Sequence, residues 1–126
     1  MRIQFKANNA TFDEICGNHV ACLAIADGSL GYLIFQRTSS TDPDKDSGIF
    51  LEYNEVENSS YNIIKECRVS RYRLSVDLKT PFDSLINVEG FDITLNISEL
   101  SFSRLINGMK TIFRDDSGNL LSIDPV

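Results

Sequence analysis

The spacing of apolar residues along this chain changes once, from a period of two to a period near 3.6, around residue 98. Before the change, Phe91, Ile93, Leu95 and Ile97 alternate with Asp92, Thr94, Asn96 and Ser98, as in a strand with one wet face. After it, Phe102, Leu105, Ile106, Met109, Ile112 and Phe113 stand at i, i+3, i+4, i+7, i+10 and i+11, on one stripe of a helix. Ser98 is placed to cap that helix, and Ile97 to staple onto Phe102. Gly108 costs the helix about 1 kcal/mol relative to alanine, so the stripe must pack in order to hold. The run DDSGN, residues 115–119, ends the helix, and LLSI beyond it adds a short final strand.

Everything upstream reads as strand and turn. Ile3, Phe5 and Ala7 alternate with Arg2, Gln4 and Lys6. Residues 19–26 and 30–35, HVACLAIA and LGYLIF, are apolar on both parities, as expected of central strands covered on both faces, with Asp27-Gly28-Ser29 as the hairpin between them. GIFLEYNEV continues in strand-like residues, NSSYNI is turn chemistry leading into a strand that runs to about Val69, and Tyr72, Leu74, Val76 and Leu78 form a half-buried strand ended by Pro81. The expected fold is therefore α+β: an antiparallel β-sheet of several strands with one C-terminal amphipathic helix packed on a face, as a single domain over 1–126. The helix covers one side of the all-apolar strands. Sheet curvature, the N-terminal strand or a second copy of the chain must cover the other.

Charge is the informative part of the composition. The 126 residues carry a net −6, and residues 41–66 hold seven carboxylates against two lysines, −5 of that total. Asp42, Asp44, Asp46, Glu52, Glu55 and Glu57 form its core. Such a field repels nucleic acid and favours a basic protein partner. TDPDKDSG begins like a calcium loop, but counting from Asp42 puts Ser47 where the turn glycine is needed and Tyr53 where the bidentate glutamate is needed. The spacing thus favours a solvated inter-strand loop over a metal site. Cys16, Cys22 and Cys67 are odd in number and lack a CxxC pair, so reduced thiols and no zinc site are expected. His19 lies three residues from both Cys16 and Cys22, an offset that puts it on the opposite face of a continuous strand. With no nucleophile elbow, phosphate loop or dinucleotide fingerprint, neither catalytic residues nor a cofactor are expected. RVSRYR, residues 68–73, is the one basic cluster. No signal peptide or membrane-length apolar run is seen, and the expected location is the cytoplasm, with no membrane partner; Asn9, Asn58 and Asn96 begin N-x-S/T sequences that matter only on export.

Taken in order, YLIFQR at 32–37, an acidic loop, FLEYNEVENSSYNII at 50–64, RYRLSVDL at 71–78, FDITLNI at 91–97 and the helix SFSRLINGMKTIF resemble the family called immunity protein 10, over roughly residues 1–113. Gln36-Arg37 closing a hydrophobic strand, and the helix ending in Ile112-Phe113, carry the resemblance. Where many members have Tyr-Gly-Gly-Ile, this chain has Tyr61-Asn62-Ile63-Ile64. The resemblance implies a cytoplasmic bacterial immunity protein whose partner is a cognate toxin domain, basic nucleases being one such class, and it implies no catalytic residues. The expected toxin-binding residues are Asp42, Asp44, Asp46, Glu52, Glu55 and Glu57. The alternatives are an oligomeric binding module, with a homodimer across the second face of the central strands, and a small metal protein or enzyme built on Cys16, His19 and Cys22 or on the Asp loop.

Overall fold

The computed structural model describes residues 1–16, 20–27, 31–38, 48–114 and 120–124, and only the backbone of 15, 16, 20 and 21. The elements run β1 (Arg2–Ala7), β2 (Asn9–Cys16), β3 (Val20–Ala26), β4 (Tyr32–Thr38), β5 (Phe50–Tyr53), β6 (Ser59–Tyr61), β7 (Ile64–Ser70), β8 (Arg73–Leu78), β9 (Gly90–Leu95), α1 (Glu99–Ile112) and β10 (Leu121–Ile123). The class is α+β, and the strands divide into two sheets: sheet A, ordered β1-β9-β8-β7-β10, and sheet B, ordered β2-β3-β4-β5-β6. Sheet B is antiparallel throughout, whereas the edge strands of sheet A, β1 and β10, run parallel to β9 and β7. Asn8 alone joins β1 to β2, so the chain passes from one sheet to the other at that residue, with the Asn8 N–H donating to the Ala26 carbonyl at 3.0 Å.

Alternation decides which side of each strand faces in. Leu74 and Val76 of β8, Phe91 and Ile93 of β9, Leu23 and Ile25 of β3, Leu33 and Phe35 of β4 and Leu51 of β5 are fully buried, and they share one core with Leu105, Met109 and Ile112 of α1. The helix starts where its cap predicts. Ser98 is extended (φ −68°, ψ 164°), and its hydroxyl accepts from the Ser101 N–H at 3.1 Å. Its far end is held by a strand residue: Arg37 Nη1 donates to the carbonyls of Ile112 at 3.0 Å and Arg114 at 2.8 Å, and Arg114 Nη2 donates to the Thr38 carbonyl. A cation on the last carbonyls of a helix satisfies orphan acceptors and complements the dipole.

Gly108 is the point of closest approach between α1 and sheet B. A Cβ there would lie 2.8 Å from the Phe12 ring and 3.2 Å from a Leu23 methyl. Alanine would gain about 1 kcal/mol of helix propensity, but overpacking costs about 1–3 kcal/mol. Gly108→Ala is therefore expected to lower stability, by up to about 2 kcal/mol on these figures, in equilibrium urea unfolding. A stabilised variant would mean that the helix can move off the sheet at no cost.

Three local expectations differ from the structure. NSSYNI is not all turn, because Ser59–Tyr61 pairs with β5 as strand β6, and the turn is confined to Asn62 at φ 58°. Tyr72 is not on a buried face: Ser70 pairs with Arg73, leaving Arg71-Tyr72 as a two-residue turn, and Tyr72 is 68% exposed with the Arg71 guanidinium 4.9 Å from its ring centre. Cys22 is disulfide-bonded rather than a reduced thiol. Cysteine spacing carries no strand register, and it is the β2–β3 pairing, with a shift between Asp13 and Cys16, that sets what lies near Cys22. Cys67 is free and buried, and burial pushes its thiol pKa far above the ordinary value, which makes it inert. His19, Gly28 and Ser29, the loop with Asp42, Asp44 and Asp46, and residues 115–119 lie outside the described residues.

Candidate functional site

Among the described residues, nothing packs on the second face of the central strands. Opposite the buried residues of sheet B, the pairing aligns Thr11, Ala24, Ile34, Glu52 and Ser59 in one row, and Asp13, Cys22, Gln36, Phe50 and Tyr61 in the next. A third row sets Asn9, Ala26 and Tyr32 side by side. Ala24, Ile34, Phe50 and Tyr32 are half-buried there, while α1 packs against the opposite face through Phe12 and Leu23. Phe50 and Tyr61 touch across β5 and β6 with their rings tilted by 57° and ring centres 5.1 Å apart, and Tyr61 is 54% exposed. The result is an apolar strip with aromatic groups along one margin.

Carboxylates rim that strip. Glu52 lies on the open face itself, where its Oε2 accepts from the Tyr32 hydroxyl at 2.6 Å. Glu55 and Glu57 project from the β5–β6 turn on either side of Val56, which is 74% exposed. The turn is held at several points. Asn54 adopts φ 62° and accepts from the Tyr32 N–H at 2.7 Å, Tyr53 and Asn58 exchange two bonds of 2.9 and 3.1 Å, and Ser84 Oγ reaches the Glu57 carbonyl at 2.9 Å. A rigid turn presents Glu55, Val56 and Glu57 with little ordering left for a partner to impose. At the other end, Gly48 (φ 90°) lies so close to Asn62 that a Cβ would fall 2.0 Å from its Oδ1, and Asn62 and Ile49 exchange bonds of 2.9 and 3.2 Å. These contacts tie the end of the acidic loop to the margin that carries Tyr61.

Of the six expected site residues, the structure thus brings Glu52, Glu55 and Glu57 together at one edge of sheet B. Charge alone named Glu52, but Phe50, Tyr61, Ile34 and Val56 were missed as candidate site residues. Their signal was the second apolar parity of residues 30–35 and the aromatic partners that strand pairing gives it. Among the described residues, no group of three or more His, Cys, Asp or Glu side chains is placed to hold a metal ion.

The Tyr32–Glu52 bond has a measurable signature. Partial burial, and next the hydrogen bond to the Glu52 carboxylate, push the Tyr32 pKa from 10.0 up to about 12. The folded state therefore favours protonated Tyr32. That contribution is complete below pH 10 and is lost as pH rises through about 12. Alkaline absorbance titration is expected to show one tyrosine ionising near 12, moving towards 10 in Glu52→Gln. An unchanged titration in the variant would show that the bond does not form in solution.

No family model, no characterised protein and no solved structure matches this chain. No helix among the described residues is long and apolar enough to cross a membrane.

Proposed function

We propose that this chain is an immunity protein: a non-catalytic, cytoplasmic inhibitor that binds and neutralises a cognate bacterial toxin. Its docking surface is the open face of sheet B. The observation that carries the reading is the joining of a half-exposed apolar strip to carboxylates on a rigid turn. A desolvated apolar and aromatic centre with a charged rim is the general anatomy of a protein interface. The acidic rim selects a basic partner, such as a nuclease domain, and speeds its approach. Asn62 is compatible with the resemblance where the sequence departs from it: at φ 58° it adopts the left-handed conformation that glycine favours, and asparagine tolerates it better than most residues.

The same face could instead seat a second copy of the chain. In a two-fold dimer each copy contributes the same patch, so both sets of Glu52, Glu55 and Glu57 would be brought into one interface. Charge thus favours a basic partner over self-association. The cytoplasmic part of the reading is separable from the rest. Disulfides persist mainly in oxidising compartments, so the reading requires the Cys22 bond to be open in the reducing cytosol.

The test is co-purification with the toxin domain encoded beside the gene, combined with a toxicity assay and sedimentation of the chain alone. A tight, salt-sensitive complex that abolishes toxicity supports the proposal. A folded chain that neither binds nor protects overturns it, and a stable dimer in that case identifies the oligomeric module. Thiol counting on protein from rapidly quenched cells decides the compartment: two or more reactive thiols in the denatured chain support the cytosol, and one opposes it.

A further inference from the structure

The solvent face of sheet A is charged, and its centre is a lattice of ion pairs. Arg2 donates through Nε to Asp92 at 2.8 Å and through Nη1 to Asp77 at 2.7 Å, while Arg68 Nη1 lies 3.2 Å from both Asp77 and Glu66. The hydrogen bond from Arg2 holds the Asp92 carboxyl below the usual carboxylate range, and Ser75 Oγ donates to the same group at 3.2 Å. Arg73 stands next to this lattice on β8, in one row with Thr94 and Lys6, and reaches Asp92 only through its field. Its guanidinium makes no hydrogen bond or ion pair among the described residues.

Register explains what surrounds it. The pairing of β10, β7 and β8 sets Ser122 beside Arg68 and Arg68 beside Ser75, and in the adjoining row sets Ser70 beside Arg73. Arg68, Arg73, Ser70, Ser75 and Ser122, with Asp124, line a depression of about 240 Å³. Two guanidinium groups, the Ser122 hydroxyl and the Ser70 hydroxyl, which is held only by a long 3.5 Å bond to the Arg73 carbonyl, form a donor-rich site on a chain that is otherwise strongly acidic, while the Ser75 hydroxyl is committed to Asp92. Its charge is opposite to that of the proposed toxin surface, and nothing in its geometry depends on that reading.

We propose that this depression binds a phosphate-sized oxyanion that carries a proton. Arg73 and the unused donors of Arg68 hold the charged oxygens, the Ser70 and Ser122 hydroxyls donate to the same oxygens, and the Asp124 carboxylate accepts the ligand's O–H. Arginine forks suit oxyanion geometry. A fixed carboxylate in the site repels an anion that has no proton to offer, and hydrogen phosphate has one whereas sulfate at neutral pH does not.

The probes are inorganic phosphate, sulfate and methyl phosphate, each titrated into the isotope-labelled full chain at constant ionic strength and pH 6.5. Amide shifts are followed by NMR. The expected result is saturable phosphate binding in the millimolar range with shifts centred on residues 68–75 and 121–124, at least tenfold weaker with sulfate. Arg73→Gln is expected to weaken phosphate at least tenfold, while Arg104→Gln, an exposed arginine on the helix, changes nothing. Asp124→Asn is expected to remove the preference for phosphate over sulfate. Methyl phosphate binding as tightly as phosphate identifies a phosphate monoester as the ligand class, and weaker binding identifies the free ion. Shifts that fail to saturate, that scatter over the surface, or that survive Arg73→Gln in a folded variant overturn the site. Equal binding of sulfate overturns the requirement for a proton.

Discussion

Phe91→Ala is expected to lose about 3–5 kcal/mol of stability, the range for deleting a buried phenyl ring, and to lower the melting temperature by roughly 10–20 °C. Phe91 is fully buried in β9, between Ile3 of β1 and Val76 of β8. Its ring centre lies 5.1 Å from that of Tyr53 in sheet B and 6.3 Å from that of Phe82 in the segment joining β8 to β9. Tyr53 in turn stacks on Phe5 of β1 at 6.5 Å. One ring therefore joins both sheets and the connection under them, so none of its neighbours can fill the space it leaves without moving away from another partner. A domain of this kind has about 5–15 kcal/mol in all, so the variant spends a large share of it. Phe91→Leu keeps most of the volume and should cost much less, about 1.5 kcal/mol or below by analogy with volume-conserving swaps. The measurement is a urea transition with an unchanged slope and a shifted midpoint. A loss below about 1 kcal/mol for alanine would mean that the ring is not enclosed from both sheets as the structure has it.

How far the fold can be read from the chain depends on whether the signal is local. The strand over 91–97 and the helix after Ser98 are legible because each element carries its own period and its own cap, and the stripe from Phe102 to Phe113 names the buried face of α1. Division into two sheets is not legible, since pairing of β1 with β9 joins residues nearly ninety positions apart, and no pattern within either strand encodes it. Gly90 shows the same limit at one residue. It looks like an ordinary turn glycine, yet a Cβ would sit 2.2 Å from the Val76 carbonyl oxygen and 2.6 Å from Arg2 Nη1, so it is required first by the backbone of the neighbouring strand β8 and then by a guanidinium that arrives from the start of the chain. Arg37 reads as a polar strand end and turns out to hold the last carbonyls of α1. The acidic segment was legible as charge, but its use was not: the parity that places Glu52 on the open face beside Phe50 and Ile34 emerges only once β4, β5 and β6 are in register.

Under the proposed immunity function, reversing Glu55 and Glu57 to lysine is expected to slow association with the proposed toxin partner by about 10- to 1000-fold at low salt, the range in which charge steering operates, and to leave the dissociation rate nearly unchanged. Both residues are exposed on the β5–β6 turn and make no contact that holds the turn through their side chains, so the fold should not respond. Rim charges act mainly on encounter, because they are solvated in the complex as well as outside it. Adding Glu52→Lys should slow association further, and it should also raise the dissociation rate, since Glu52 lies within the open face and anchors Tyr32. Phe50→Ala and Tyr61→Ala should do the reverse of the rim pair, with near-normal association and a dissociation rate about 30-fold or more higher, as for truncated aromatic anchors. Salt separates the two mechanisms. At roughly 0.5–1 M the Debye length falls to a few ångströms, so the rim variants should converge on the parent while the aromatic variants remain defective. Stopped-flow association across a salt series reads all of these outcomes. If the double reversal leaves both the association rate and its salt slope where they were, the toxin docks elsewhere, and the carboxylates of the β5–β6 turn serve solubility alone.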